Sequence, residues 1–128
     1  MYRWRSRRGV ANNSDIFEID CMKKYKLVRD KIIEIIESRG EISTHHSAES
    51  DHEFEKSLFE KFQEELSEFL EAKDDAHAKE EMADIFEVIT AILAHKGWNL
   101  EDVVTLQKKK REERGGFEKR IILEMDEK

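Results

Sequence analysis

Proline is missing from this sequence, and glycine and cysteine are scarce. The 128 residues contain no proline, five glycines and a single cysteine, Cys21. Because proline and glycine mark most turns, their scarcity argues against a turn-rich β architecture and favours long helices. A lone cysteine cannot form an intramolecular disulfide and fits a reducing compartment. We therefore expect an all-α, cytoplasmic protein.

Long apolar runs and excess positive charge are also missing. No stretch approaches the roughly 20 apolar residues of a transmembrane helix, so we expect no membrane contact. The formal net charge of −7 argues against a general nucleic-acid surface, because phosphate backbones attract an excess of Lys and Arg. An acidic protein of this kind binds an anionic ligand through a local basic cluster or through a metal ion.

The first 21 residues differ in composition from the rest of the chain. Four arginines surround Trp4, and a polar stretch follows. We interpret residues 1–21 as a flexible N-terminal arm or a non-native extension, with contact to nucleic acid or an acidic membrane as the alternative. Residues 22–128 fit one domain.

Apolar residues at steps of three and four predict an antiparallel bundle of about four helices. We expect the helices to cover residues 30–39, 51–72, 78–96 and 99–114. Gly40 is predicted to cap the first helix, and Ser50 with Glu53 forms a capping box at the start of the second. The apolar segment 117–123 is interpreted as a strand or extended strap pairing with residues 25–28.

Two of these helices carry carboxylates within their apolar stripes. Steps of about 100° per residue put Glu65 in the middle of the second helix's apolar face and Glu68 at its margin. Glu81 and Asp84 repeat this arrangement on the third helix, whereas Glu64 should point to solvent. A buried carboxylate costs roughly several kcal/mol unless it is neutralised, paired with a cation or bound to a metal.

The inward-facing carboxylates leave two interpretations open. Four of them around one core would repel each other, and a divalent cation would remove that repulsion. Oxygen donors favour Mg²⁺ or Mn²⁺ over zinc. Alternatively, Glu65 and Glu81 form buried salt bridges, with Lys61 one turn before Glu65 as the first candidate partner.

The five histidines are expected outside this cluster, with none of them paired with one of its carboxylates at a spacing of three or four residues. Neither carboxylate motif contains Glu-x-x-His, which argues against an iron–carboxylate bundle. His95 is interpreted as a core or rim residue. We expect the remaining histidines at the surface: His45, His46, His52 and His77.

Basic residues gather on the fourth predicted helix, between Lys108 and Arg114. Cations near a helix C-terminus usually form a solvated end that complements the helix dipole. Phosphate chemistry would use such a cluster too, and Lys110 and Arg114 share one face a turn apart. We predict that these two residues bind phosphate.

The two carboxylate motifs occur in a recognisable order, ExxE at residues 65–68 and then ExxD at residues 81–84. This order resembles the MazG-like all-α nucleoside triphosphate pyrophosphohydrolase superfamily. The segments 25–32 and 114–121 look like its phosphoribosyl-ATP pyrophosphohydrolase-like branch. The similarity covers about residues 22–124, so residues 22–128 would form a MazG-like domain. Ile33 departs from the pattern, because the branch usually has proline there.

The resemblance implies a Mg²⁺-dependent (or Mn²⁺-dependent) enzyme that splits a nucleoside triphosphate, or a phosphoribosyl-ATP-like nucleotide, into monophosphate and pyrophosphate. The implied metal ligands and catalytic residues are Glu65, Glu68, Glu81 and Asp84. The predicted substrate-binding residues are Lys61, Lys110 and Arg114. The family usually forms oligomers, so we expect a homodimer or homotetramer that completes the core. The alternative is a non-catalytic helical interaction or regulatory module that retains an acidic cluster.

Overall fold

The computed structural model describes residues 25–126, and their regular structure is entirely helical. The four helices are α1 (Ile32–Ser38), α2 (Asp51–Leu70), α3 (Asp75–Lys96) and α4 (Leu100–Arg114). The all-α prediction is confirmed. The proposed arm at residues 1–21 lies outside the described residues, so its boundary stays a prediction. None of the described helices is long and apolar enough to cross a membrane.

The helix ends follow the local sequence signals. Ser50 Oγ accepts a hydrogen bond from the backbone N–H of Glu53 at 3.1 Å, as the capping box predicts. The Glu53 carboxylate accepts in turn from the N–H of Glu49 at 3.1 Å, one residue before the cap. Gly40, with φ of 77°, adopts the left-handed conformation that closes α1.

Helix α3 begins three residues earlier than the sequence pattern indicated. It starts at Asp75 rather than at residue 78. Asp74 explains the difference, because its Oδ1 accepts from the backbone N–H of His77 at 2.8 Å in the manner of an N-cap. The backbone carbonyl of Asp74 also accepts from Ala78 N–H at 2.9 Å. His77 therefore lies in the first turn of α3, one turn before Glu81.

The chain divides into two compact units, with the boundary after Ile92. The first unit contains α1, α2 and most of α3. Its buried apolar side chains are Ile32, Ile36, Leu58, Ile85 and Val88. Three charged side chains are buried in the same unit, namely Lys61, Glu65 and Glu81. Charged side chains are rarely buried unless they are paired, so three of them beside five buried apolar side chains are unusual.

The second unit contains the end of α3, all of α4 and the segment after it. No residue of α4 is buried. The strand predicted at 117–123 is not formed, and no strand occurs anywhere in residues 25–126. Phe117 and Ile122 are 98% and 89% exposed, so the apolar run is not buried. Apolar composition alone does not make a strand, because a strand needs a neighbour for its backbone hydrogen bonds.

Candidate active site

Helices α2 and α3 bring three carboxylates together. One oxygen from each of Glu65, Glu68 and Glu81 lies within 4.8 Å of the other two. Glu81 is fully buried, Glu65 is 4% exposed and Glu68 is partly buried. The angular prediction placed Glu65 within the apolar stripe and Glu68 at its margin, and the structure confirms both positions.

The electrostatics show how the two helices face each other. Burial raises the pKa of Glu68, and the adjacent Glu81 carboxylate raises it further. Burial also raises the pKa of Glu65; Lys61 opposes this, and the negative charges of Glu68 and Asp84 add to it. The later acid of α2 thus meets the earlier acid of α3, as antiparallel helices joined by a short turn require. Glu65 and Glu68 of α2 therefore lie near Glu81 of α3, as predicted.

Each buried glutamate is held by one oxygen only. Lys61 Nζ lies 3.0 Å from Glu65 Oε1, and His77 Nε2 lies 3.1 Å from Glu81 Oε1. Glu65 Oε2 and Glu81 Oε2 are buried without a hydrogen-bond partner. The salt-bridge interpretation therefore accounts for only one of the two oxygens of each carboxylate. The remaining oxygens fit a hard divalent cation, because buried acceptors without a donor are rare and costly.

His77 was expected at the surface, and that prediction is wrong. Its side chain is 19% exposed and contacts Glu81, four residues further along the same helix. The backbone N–H of Lys73 approaches His77 Nδ1 at 3.5 Å from the other side. The spacing from His77 to Glu81 was available in the sequence. The expectation that no histidine pairs with the carboxylates at three or four residues' spacing is therefore wrong as well.

Asp84 lies beside the cluster and not within it. Its Oδ1 accepts from Arg29 Nη2 at 2.6 Å, and its side chain is 19% exposed. The 4.8 Å group found among the described residues does not include Asp84. Arg29 precedes α1 and is 55 positions away along the chain, so no local spacing could have predicted this contact. The role of Asp84 as a metal ligand stays a prediction.

Glu64 is also paired, although it was expected to point into solvent. Lys26 Nζ lies 2.5 Å from Glu64 Oε1, and Lys61 Nζ lies 3.7 Å from Glu64 Oε2. The side chain of Glu64 is 30% exposed as a result of this packing. The segment before α1 therefore forms an ion pair with each of the two helices that carry the carboxylates. Lys26 pairs with Glu64 of α2, and Arg29 pairs with Asp84 of α3. The predicted substrate contact of Lys61 stays untested, since the observed contacts of its ammonium group are with glutamates.

The two other predicted substrate-binding residues lie in the second unit. Lys110 and Arg114 are exposed on α4. Arg111, on the same helix, forms an ion pair with Glu118. Nothing in these contacts assigns a ligand to Lys110 or Arg114, and their role stays a prediction.

Comparison with known families decides the class of protein. The family described as phosphoribosyl-ATP pyrophosphohydrolase matches residues 27–111. The chain belongs to this family. Its resemblance to the MazG-like superfamily is thereby confirmed, over a shorter span than residues 22–124. Searches of curated proteins and of solved structures gave no match.

The phosphoribosyl-ATP pyrophosphohydrolase match includes the whole carboxylate site. Glu65, Glu68, Glu81 and Asp84 all fall within the matched span, and Arg114 lies three residues beyond it. Membership supports a pyrophosphohydrolase as the general class of enzyme. The family is metal-dependent in general, and the three-carboxylate cluster agrees with that property.

Proposed function

We propose that this chain is a cytoplasmic, Mg²⁺-dependent nucleotide pyrophosphohydrolase, with Mn²⁺ as a substitute metal. Its substrate would be a nucleoside triphosphate or a phosphoribosyl-ATP-like nucleotide, cleaved to a monophosphate and pyrophosphate. One observation carries the proposal. Glu65 and Glu81 are buried, each has an oxygen within 4.8 Å of a Glu68 oxygen, and each keeps one oxygen without a hydrogen-bond partner.

The donor set fits a hard divalent cation. All three clustered groups are carboxylates, which suit Mg²⁺ or Mn²⁺. Glu65, Glu68 and Glu81 would hold the ion, with Asp84 as the predicted fourth ligand. A bound ion would neutralise phosphate charge and make a bound water more acidic.

The chain's own residues would bind and orient the substrate. In the overall reaction, water adds to the α-phosphorus, the bond between the α-phosphorus and its bridging oxygen breaks, and pyrophosphate leaves. Lys110 and Arg114 are the residues we propose for the charge of the leaving pyrophosphate, because charge-assisted contacts to phosphate are strong. Lys61 offsets the negative charge of Glu65 and Glu64, which moderates repulsion within the cluster.

A second function remains in competition, and specific contacts favour it. Lys61–Glu65 and Arg29–Asp84 are ion pairs that stabilise a fold without any metal. A non-catalytic interaction or regulatory module could retain them. The unpartnered oxygens of Glu65 and Glu81 weigh against this alternative, because a purely structural core gains nothing from leaving them unsatisfied.

A nucleotide panel tests the proposed activity. Ordinary and damaged nucleoside triphosphates and phosphoribosyl-ATP would each be incubated with the full chain, and pyrophosphate release measured with Mg²⁺, with Mn²⁺ and with EDTA. We expect release from at least one nucleotide class, abolished by EDTA. Failure of every nucleotide to release pyrophosphate with either metal would contradict the proposal.

We also propose that the chain forms a homodimer or homotetramer. Phe59, Leu66 and Leu70 lie within about 40° of one another on α2. They are 63%, 42% and 75% exposed, so α2 presents an apolar patch to solvent. Such patches are typical of surfaces that bind another chain. Light scattering should give a mass of two or four chains. A mass of one chain would contradict this.

A further inference from the structure

We propose that His77 is a positioning residue for Glu81, holding one carboxylate oxygen so that the other is presented to the metal ion. The inference rests on the proposed function, since it concerns the same metal site. It assigns a role to a side chain that lies outside both carboxylate motifs.

The burial of Glu81 makes its partner important. Glu81 has no exposed surface, so bulk water does not orient its carboxylate. His77 Nε2 is 3.1 Å from Glu81 Oε1, and Glu81 Oε2 has no hydrogen-bond partner. Hydrogen-bond partners of metal ligands fix ligand orientation and are part of the site's affinity for metal. His77 is placed to do this for Glu81.

The ring of His77 is itself fixed by the turn between α2 and α3. Asp74 Oδ1 accepts from the backbone N–H of His77 at 2.8 Å, which anchors the start of the helix. The backbone N–H of Lys73 points to Nδ1 at 3.5 Å, so Nδ1 serves as the acceptor. Nε2 is then the ring nitrogen that faces Glu81 Oε1.

Helix α2 contains a parallel arrangement with a different charge. Lys61 precedes Glu65 by four residues, just as His77 precedes Glu81, and it holds the corresponding oxygen at 3.0 Å. In both pairs the residue one turn earlier holds Oε1 of the glutamate, and Oε2 is left without a hydrogen-bond partner.

Two amide substitutions separate orientation from packing. In His77→Gln the amide nitrogen can reach the place of Nε2, so the donor to Glu81 is kept. In His77→Asn the shorter side chain can still accept from Lys73 but cannot reach Glu81. His46→Asn is the matched control, because His46 Nε2 lies 3.0 Å from Glu53 Oε1 in a His–Glu pair outside the cluster.

The measured quantity is Mg²⁺ affinity by calorimetry on the full chain without nucleotide. We expect His77→Asn to weaken binding roughly 10- to 100-fold, the usual cost of losing a ligand's hydrogen-bond partner. His77→Gln should restore most of the affinity, and His46→Asn should match the wild type. Melting in EDTA provides the second readout, since a merely structural role would lower the melting temperature and leave the affinity of the folded protein unchanged.

The outcomes distinguish this inference from the proposed function. A wild-type chain that binds Mg²⁺ and releases pyrophosphate, with unchanged affinity in His77→Asn, overturns the role of His77 alone. A wild-type chain that binds neither Mg²⁺ nor Mn²⁺ overturns both. Weakened binding in His77→Asn with recovery in His77→Gln supports the inference.

Discussion

The site helices α2 and α3 and the basic helix α4 are all rich in charge, yet they use it differently. In α2 and α3, charged side chains lie in the apolar stripe, and Lys61, Glu65 and Glu81 are buried. In α4 no side chain is buried, and every cation of its basic run faces water. The difference teaches that the angular position of a charge on its helix, and not the number of charges, separates a candidate site from a solvated surface.

The largest expected effect is the loss of a buried carboxylate. Glu81→Gln and Glu65→Gln keep the side-chain volume and remove a charged ligand. We expect each to weaken Mg²⁺ binding by more than the roughly 100-fold that loss of an outer partner costs, and pyrophosphate release to fall with it. Calorimetry and a pyrophosphate assay would measure the two quantities.

Glu71→Gln is the matched control for these variants. Glu71 is exposed at the end of α2, about 120° around the helix from Glu65. Its substitution should leave metal affinity and turnover close to those of the wild type. Asp74 is unsuitable as a control, because it caps α3 and its loss would disturb His77. Equal losses in Glu71→Gln and Glu81→Gln would mean that general acidity had been mistaken for a site.

A smaller effect is expected on α4. Lys110→Gln and Arg114→Gln should each raise KM about tenfold, the worth of one charge-assisted contact to phosphate, without changing Mg²⁺ affinity. Lys108→Gln is the control, since it lies about 160° around the helix from Lys110. If KM changes equally in all three variants, the basic run acts only through its overall charge, and the assignment of two binding residues is wrong.

The raised pKa of Glu68 predicts a pH effect in metal-free protein. Burial, and then the neighbouring Glu81 carboxyl, raise the pKa of Glu68 above its ordinary value of 4.5. The folded chain therefore keeps the proton on Glu68 to a higher pH than the unfolded chain does. The folded state therefore binds more protons than the unfolded state there, and the free energy of unfolding falls as pH rises through that window. Glu68→Gln should remove this loss. Urea unfolding in EDTA at several pH values would measure the free energy of unfolding of both proteins. We expect the variant to gain stability relative to the wild type as pH rises above 4.5. A difference between the two that does not change with pH would refute this prediction.

The smallest effect is expected from deleting residues 1–21, which lie outside both regions. The family match begins at residue 27, and residues 1–21 differ in composition from the rest. Deleting them should leave the melting temperature and turnover nearly unchanged. A large loss of either quantity would show that these residues belong to the folded enzyme.

Sequence reasoning worked where the signal was local and failed where it was not. The burial of Glu65 and Glu81 followed from helical geometry, because an angle on a helix depends only on residue spacing. The Arg29–Asp84 contact joins residues 55 positions apart, and no period encodes it. The His77–Glu81 contact is an exception, because it is local, with the two positions four residues apart on one helix, and it was nevertheless missed.

The failed strand at 117–123 shows the same limit for the second unit. Its apolar residues gave a local signal, but a strand depends on a partner elsewhere in the chain. Lys110 and Arg114 share a helical face by local geometry. What they bind depends on tertiary placement, which their spacing does not encode.

The response of the melting temperature to Mg²⁺ tests the central claim most directly. An ion that binds the folded chain and not the unfolded one raises stability in proportion to the logarithm of its concentration once binding is saturated. The wild-type protein should therefore melt at higher temperature as Mg²⁺ is added after EDTA treatment, while Glu81→Gln should hardly respond. A wild-type melting temperature that does not change with Mg²⁺ or Mn²⁺ would contradict a metal site formed by Glu65, Glu68 and Glu81.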